Sequence, residues 1–107
     1  MTQFNDREKA FENNFKREEE LKFKIVARRN RLLGQWAAEK LSLDGAAAEV
    51  YAKEVVASDF DEPGDNDVLR KVLGDLEGKG IETSEHLVRK EMDRLLTVAR
   101  DQILSEN

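Results

Sequence analysis

The residues best suited to hold a ligand are Arg28, Arg29, Arg31 and Trp36, which lie close together in the sequence. Guanidinium groups pair with phosphate through two parallel hydrogen bonds, and an indole ring can stack on a base. Asn30 would add an amide contact. The alternative is a solvated basic face whose aliphatic stems cover apolar neighbours. The pattern alone leaves both interpretations open.

Other residue types that carry chemistry are too few or wrongly spaced for an active site. The chain has no cysteine, which excludes a thiolate nucleophile and a thiolate metal site. The single histidine, His86, lacks the partner histidine and the Glu-Xaa-Xaa-His spacing of metal-binding helices. The acidic stretch from Asp59 to Asp67 has neither the glycine-centred spacing of ligands nor the final glutamate of a calcium loop. We therefore expect no enzymatic activity, no metal and no required cofactor.

The composition favours one all-α domain. Of the 107 residues, 38% are charged and 39% hydrophobic, with a single proline and six glycines, so little turn chemistry is available for a β fold. No apolar run approaches the length of a membrane span, and the N-terminus lacks a signal peptide. We expect a cytoplasmic protein without direct membrane insertion.

The charge is unevenly distributed along the chain. The net charge is −5, yet residues 1–41 carry +3 and the remainder carries −8. Because acidic residues dominate the second part, nucleic-acid binding is not expected. A basic arm on an acidic body can instead dock onto its own body or offer each surface to a different partner, and the sequence does not choose between these.

Hydrophobic spacing predicts a four-helix bundle in residues 16–107, with helices at about 16–41, 44–59, 63–78 and 84–104. In the first helix, one face carries Leu21, Ile25, Leu32 and Trp36, widened by Leu33, Ala37 and Leu41. In the second, rows of alanine allow close approach to a neighbour.

The ends of these helices also have recognisable signals. Phe60 is expected to close the end of the second helix, and Pro63 to occupy the first position of the third. Gly78-Lys79-Gly80 predicts a helix C-terminus. Thr83 or Ser84 is suited to cap the fourth helix.

The first fifteen residues form a polar N-terminal arm that carries three phenylalanines, Phe4, Phe11 and Phe15, on one helical face. Ordering this arm costs about 1–2 kcal/mol per residue, more than three aromatic side chains offset. We expect the arm to be flexible in isolation and to become helical when its phenylalanines meet a groove. A terminus that never orders is the alternative.

The string from Arg28 to Glu39, RRNRLLGQWAAE, resembles the signature of the zeta subunit, the regulatory inhibitor of the alphaproteobacterial F1Fo-ATP synthase. The resemblance extends over nearly the whole chain. It includes Phe4-Asn5-Asp6-Arg7-Glu8, Tyr51-Ala52-Lys53-Glu54-Val55-Val56 with Asp59-Phe60, and Asp75-Leu76-Glu77-Gly78-Lys79-Gly80.

The resemblance implies that the N-terminal arm is the inhibitory element. The arm would insert at a catalytic alpha/beta interface of F1, become helical and block the rotation that hydrolysis drives, with the alpha, beta and gamma subunits as partners. The implied inhibitory contacts are Phe4, Asp6, Arg7, Glu8, Phe11 and Phe15.

The resemblance also implies weak ADP or ATP binding on the bundle, without assigning its residues. Chemistry points to Arg28, Arg29 and Arg31 for the phosphates and to Trp36 for the base. The expected protein is monomeric when free, and reaches the inner membrane peripherally through F1.

Two other hypotheses stay open at this stage. One is a nucleotide-sensing helical module without strong inhibitory activity. The other is a helical scaffold that associates with itself through the phenylalanine face.

Overall fold

A computed structural model describes residues 2–60 and 64–106, with side chains from residue 16 onward. These residues form four helices: α1 (Thr2–Lys40), α2 (Gly45–Ser58), α3 (Asn66–Gly78) and α4 (Glu85–Glu106). No strand occurs within those ranges. The predicted all-α, four-helix fold is therefore confirmed.

Helix α1 begins at Thr2, much earlier than the predicted start at residue 16. The backbone of the N-terminal arm is thus continuous with the helix that enters the bundle, which agrees with an extension that can be helical. At 1.5 Å per residue, 39 residues span roughly 58 Å. The molecule is 65 Å long and 26 × 20 Å across, so α1 accounts for most of its length.

The core lies between all four helices and is aliphatic apart from one tyrosine and one methionine. Its members are Leu33, Ala37, Ala38, Leu41, Tyr51, Val55, Val68, Leu69, Val72, Leu76, Val88, Met92 and Leu95. Leu32 and Trp36 are only partly buried against this cluster. The residues predicted to widen the apolar face, Leu33, Ala37 and Leu41, are therefore buried more deeply than these two, because α1 packs against both α2 and α4.

The alanine-rich helix α2 closely approaches a neighbouring helix, as predicted. The contact is with Gly34 of α1. A Cβ atom on Gly34 would lie only 2.6 Å from the Cα of Ala52. Ordinary Cβ contacts are longer than this, so glycine is required at the crossing. Small residues on both helices set the distance between α1 and α2.

Several helix ends match their sequence signals. The Leu87 amide donates to Ser84 Oγ at 3.2 Å, so Ser84 caps α4. The Ile81 amide donates to the Leu76 carbonyl at 3.0 Å, and Gly80 has a φ of 78°, as expected for a helix C-terminus closed by glycine.

The connection between α2 and α3 differs from expectation. Phe60 is 69% exposed, so it does not close the end of α2. Helix α2 stops at Ser58, and its end is held instead through a polar contact of Asp59 with α1. Pro63, predicted to begin the third helix, lies outside the described residues.

None of the helices in the described part of the chain has the length and apolar composition that crossing a bilayer requires.

Candidate functional site on the first helix

Arg28, Arg29 and Arg31 of α1 have different surroundings, because successive residues of a helix are about 100° apart. Arg28 faces the end of α4. Its guanidinium donates to Gln102 Oε1 at 2.8 Å and to Glu106 Oε1 at 2.8 Å. Its side chain is 27% exposed, so it combines a contact between helices with partial access to solvent.

Arg29 and Asn30 are buried, with exposed fractions of 4% and 1%. Arg29 Nε donates to Asn30 Oδ1 at 2.7 Å, and Asn30 Nδ2 donates to Asp59 Oδ2 at 3.0 Å. Arg29 Nη1 also lies 3.7 Å from Asp65 Oδ2. This network ties α1 to both sides of the connection between α2 and α3.

The electrostatics of this network follow from burial and pairing. Burial lowers the pKa of Arg29, and the carboxylates of Asp65 and Asp59 oppose that effect. The hydrogen bond from Arg89, 2.8 Å long, is the main reason that the pKa of Asp65 lies below its usual range. Arg29 stays charged at neutral pH, but its guanidinium is enclosed and does not face solvent.

Arg31 is the most accessible of the three arginines. Its side chain is 59% exposed, and its nearest carboxylate, Glu49, lies at the long distance of 3.9 Å. Two clefts flank Arg31 and Gln35. One, of about 320 Å³, lies between α1 and α2 over Ala48, Ala52 and Val56.

The other cleft, of about 310 Å³, is lined by Arg28, Arg31, Leu32, Gln35 and Gln102. Trp36 lines neither cleft and is half-buried, with Lys40 Nζ 5.0 Å from the centre of its ring. The structure thus brings Arg28 and Arg31 to one cleft and places Arg29 and Trp36 elsewhere. The nucleotide-binding role of these four residues stays a prediction.

Sequence reasoning missed the glutamines at these clefts. Gln35 follows Arg31 by one helical turn, so helical spacing was a usable signal for it. Gln102 comes from α4 and carries no local signal that would place it beside Arg28.

The candidate metal ligands do not converge. His86 is exposed. Within residues 2–60 and 64–106, no group of three or more His, Cys, Asp or Glu residues is arranged to hold a metal ion.

The predicted inhibitory contacts all lie in the N-terminal arm. The backbone of residues 2–15 is part of α1. The structure describes no side chain before residue 16. The inhibitory role therefore stays a prediction for Phe4, Asp6, Arg7, Glu8, Phe11 and Phe15.

A protein-family model described as ATPase inhibitor subunit zeta matches residues 1–102. The chain belongs to this family. Membership of the zeta family supports a regulatory role as an ATP synthase inhibitor, which implies interaction with F1-ATPase. The resemblance seen in the sequence is confirmed.

Comparison with solved structures supports the fold. A solution NMR structure of a protein is 48% identical to this chain, with a TM-score of 0.72. The match covers 81% of this chain and 99% of that one. Comparison with curated proteins finds no match.

Proposed function

We propose that this zeta-family chain inhibits ATP hydrolysis by inserting its N-terminal arm at a catalytic alpha/beta interface of F1, where the arm blocks rotation of the gamma subunit. The observation that carries the proposal is the family match over residues 1–102, which includes the arm as well as the bundle. The bundle then serves as the body that the arm is attached to.

The shape of α1 supports this division of roles. Residues 16–20 are exposed, and the first buried residue of α1 in the described part is Arg29. Helix α1 therefore extends several turns beyond the core. A helix whose anchoring contacts all lie at one end leaves the other end available to a partner.

The chemistry of the arm supports a helix-in-groove mode of binding. Phe4, Phe11 and Phe15 are spaced by seven and four residues, so they share one face of a helix. Asp6, Arg7 and Glu8 would contact polar groups at the rim of the groove.

The proposal can be tested by cross-linking, because the chain has no native cysteine. Ala10→Cys would carry a photo-activated thiol reagent in the arm, and Lys79→Cys, at the exposed end of α3, is the matched control. We expect adducts with the alpha or beta subunit of F1 from position 10 only. Inhibition by the labelled protein without any adduct from position 10 would contradict insertion of the arm.

A second candidate function is nucleotide binding at the clefts beside Arg31. The supporting observation is that Arg28, Arg31 and Gln35 line one cleft. Arg29 is buried and lines neither cleft, so the site proposed here is built on Arg28 and Arg31. The nucleotide would be ADP or ATP, held through its phosphates.

Addition of ADP should shift NMR resonances of residues that line these clefts in the wild-type chain and in Arg94→Ala. It should leave them unchanged in Arg31→Ala. Arg94 is a suitable control because it pairs with Glu91 on the exposed surface of α4. Shifts confined to the chain termini would contradict a site at the clefts.

A further inference from the structure

An apolar groove runs between α1 and α4, close to the N-terminal arm and away from the clefts beside Arg31. Its volume is about 550 Å³, and its walls are formed by Leu21, Ile25 and Val26 of α1 and by Leu96 and Leu104 of α4. Leu96 is 37% exposed and Leu104 is 48% exposed. Apolar side chains from two helices on either side of a trough have the form of a helix-binding groove.

The charge at the groove is mainly positive. Lys22 and Arg100 line it together with a single acid, Glu18. Neither cation forms an ion pair with any residue of the described part of the chain. The groove therefore suits an apolar segment that carries acidic side chains at its edge.

The position of the groove points to its occupant. It starts at Glu18, three residues after the arm, which corresponds to roughly 4.5 Å along the helix axis. Because α1 is one continuous helix from Thr2, the arm leads away from the groove and does not fold back over it. A partner that binds the arm would therefore lie beside this groove.

We propose that the α1/α4 groove is a second contact with F1, and that it seats an amphipathic, acidic-edged helix at the mouth of the interface that takes up the arm. This inference rests on the proposed function and adds a docking site to it. The arm blocks rotation, whereas the groove increases affinity by burying Leu96 and Leu104.

The test compares two groove variants of the full-length chain, Leu96→Glu and Leu104→Glu, with Leu87→Glu. Leu87 lies on α4 and is 51% exposed, and it does not line the groove. Since all three side chains are exposed, the variants should fold, which circular dichroism would check. Binding to purified F1 would be measured by biolayer interferometry, and inhibition of hydrolysis by titration.

We expect roughly tenfold or greater weakening of F1 binding for the groove variants, as is usual when a central apolar anchor is lost. Leu87→Glu should bind as the wild type does. Inhibition at saturation should stay complete in all three, because the arm is intact. Arg100→Glu should also weaken binding and make it less dependent on salt.

Three results would overturn the inference, and they differ from one another. Equal binding by wild type and groove variants would show that the groove does not contact F1, and would leave the proposed role of the arm intact. Failure of the wild type to bind F1 would contradict both the groove contact and the proposed function. Sedimentation that shows a wild-type dimer and a monomeric Leu104→Glu variant would assign the groove to a second copy of the chain.

Discussion

At the scale of single residues, Gly34 sets how closely α1 and α2 pack. The backbone of Ala52 occupies the space that any side chain at this position would need. The neighbouring residue Leu33 is fully buried, so a shift of α1 at this point would disturb the core as well. One glycine thus determines the position of the helix that carries the arm.

Gly34→Ala should lower the free energy of unfolding by roughly 1–3 kcal/mol, because its Cβ would meet the Ala52 Cα at 2.6 Å. Gly74→Ala is the matched control, since no heavy atom lies within 4 Å of its Cβ. Removing a helical glycine there should raise stability by about 0.5–1 kcal/mol. Urea unfolding would measure both, and equal effects would contradict the close contact.

Asp65 links stability to pH through its hydrogen bond from Arg89. The pKa of Asp65 is lowered in the folded chain, chiefly by this bond. The Asp65 carboxylate therefore stabilises the fold above the pKa that it has in the unfolded chain, about 4. The contribution is lost as pH falls through the lower, folded value.

We expect Asp65→Asn to be less stable than the wild type at pH 7, with the difference shrinking below about pH 4. Asp101→Asn, an exposed change on α4, should show no such trend. Thermal unfolding across this pH range is the measurement. A constant difference at all pH values would show that Asp65 acts by packing and not by charge.

At the scale of helices, the sequence predicted the elements better than the way they face one another. Spacing within one helix indicates which residues share a face, and Ser84 and Gly80 marked two ends correctly. Rotation of α1 depends on where α2 and α4 lie, and no local pattern contains that information. The spacing therefore predicts Trp36 on the apolar face and Leu33 as a residue that widens it. In the structure Leu33 is fully buried and Trp36 is only partly buried.

The separation of the arginines has the same origin. Asn30 and Arg29 are buried where they meet Asp59 and Asp65, which lie 29 and 36 residues further along the chain. Arg28 turns towards the end of α4 for a similar reason. The sequence shows a basic cluster, and only the tertiary structure shows which of its members remain accessible.

Arg28 links the end of α4 to the point where α1 leaves the core. Exposed pairs of this type contribute about 0.2–1 kcal/mol, so Arg28→Ala should change global stability little. Amide hydrogen exchange of residues 20–28 should nevertheless become faster while α2 stays protected. Arg31→Ala, which removes only a pair at 3.9 Å, is the control. Unchanged exchange in Arg28→Ala would contradict the link.

At the scale of the whole molecule, a short bundle anchors a long helix. The hydrophobic core draws on residues from Leu33 to Leu95, and the buried Ile103 follows near the end of α4. All the core residues among the described side chains lie after residue 15, so the bundle should keep its fold when residues 1–15 are removed. In the proposed mechanism, the blocking element and the folded body are separate parts of one chain.

The most direct test of the inhibitory arm is ATP hydrolysis by F1 in the presence of the intact chain or of residues 16–107. We expect the intact chain to inhibit and the shortened chain to leave hydrolysis unchanged, with both bundles equally folded by circular dichroism. Equal inhibition by the two forms would contradict the account and move the inhibitory surface to the bundle.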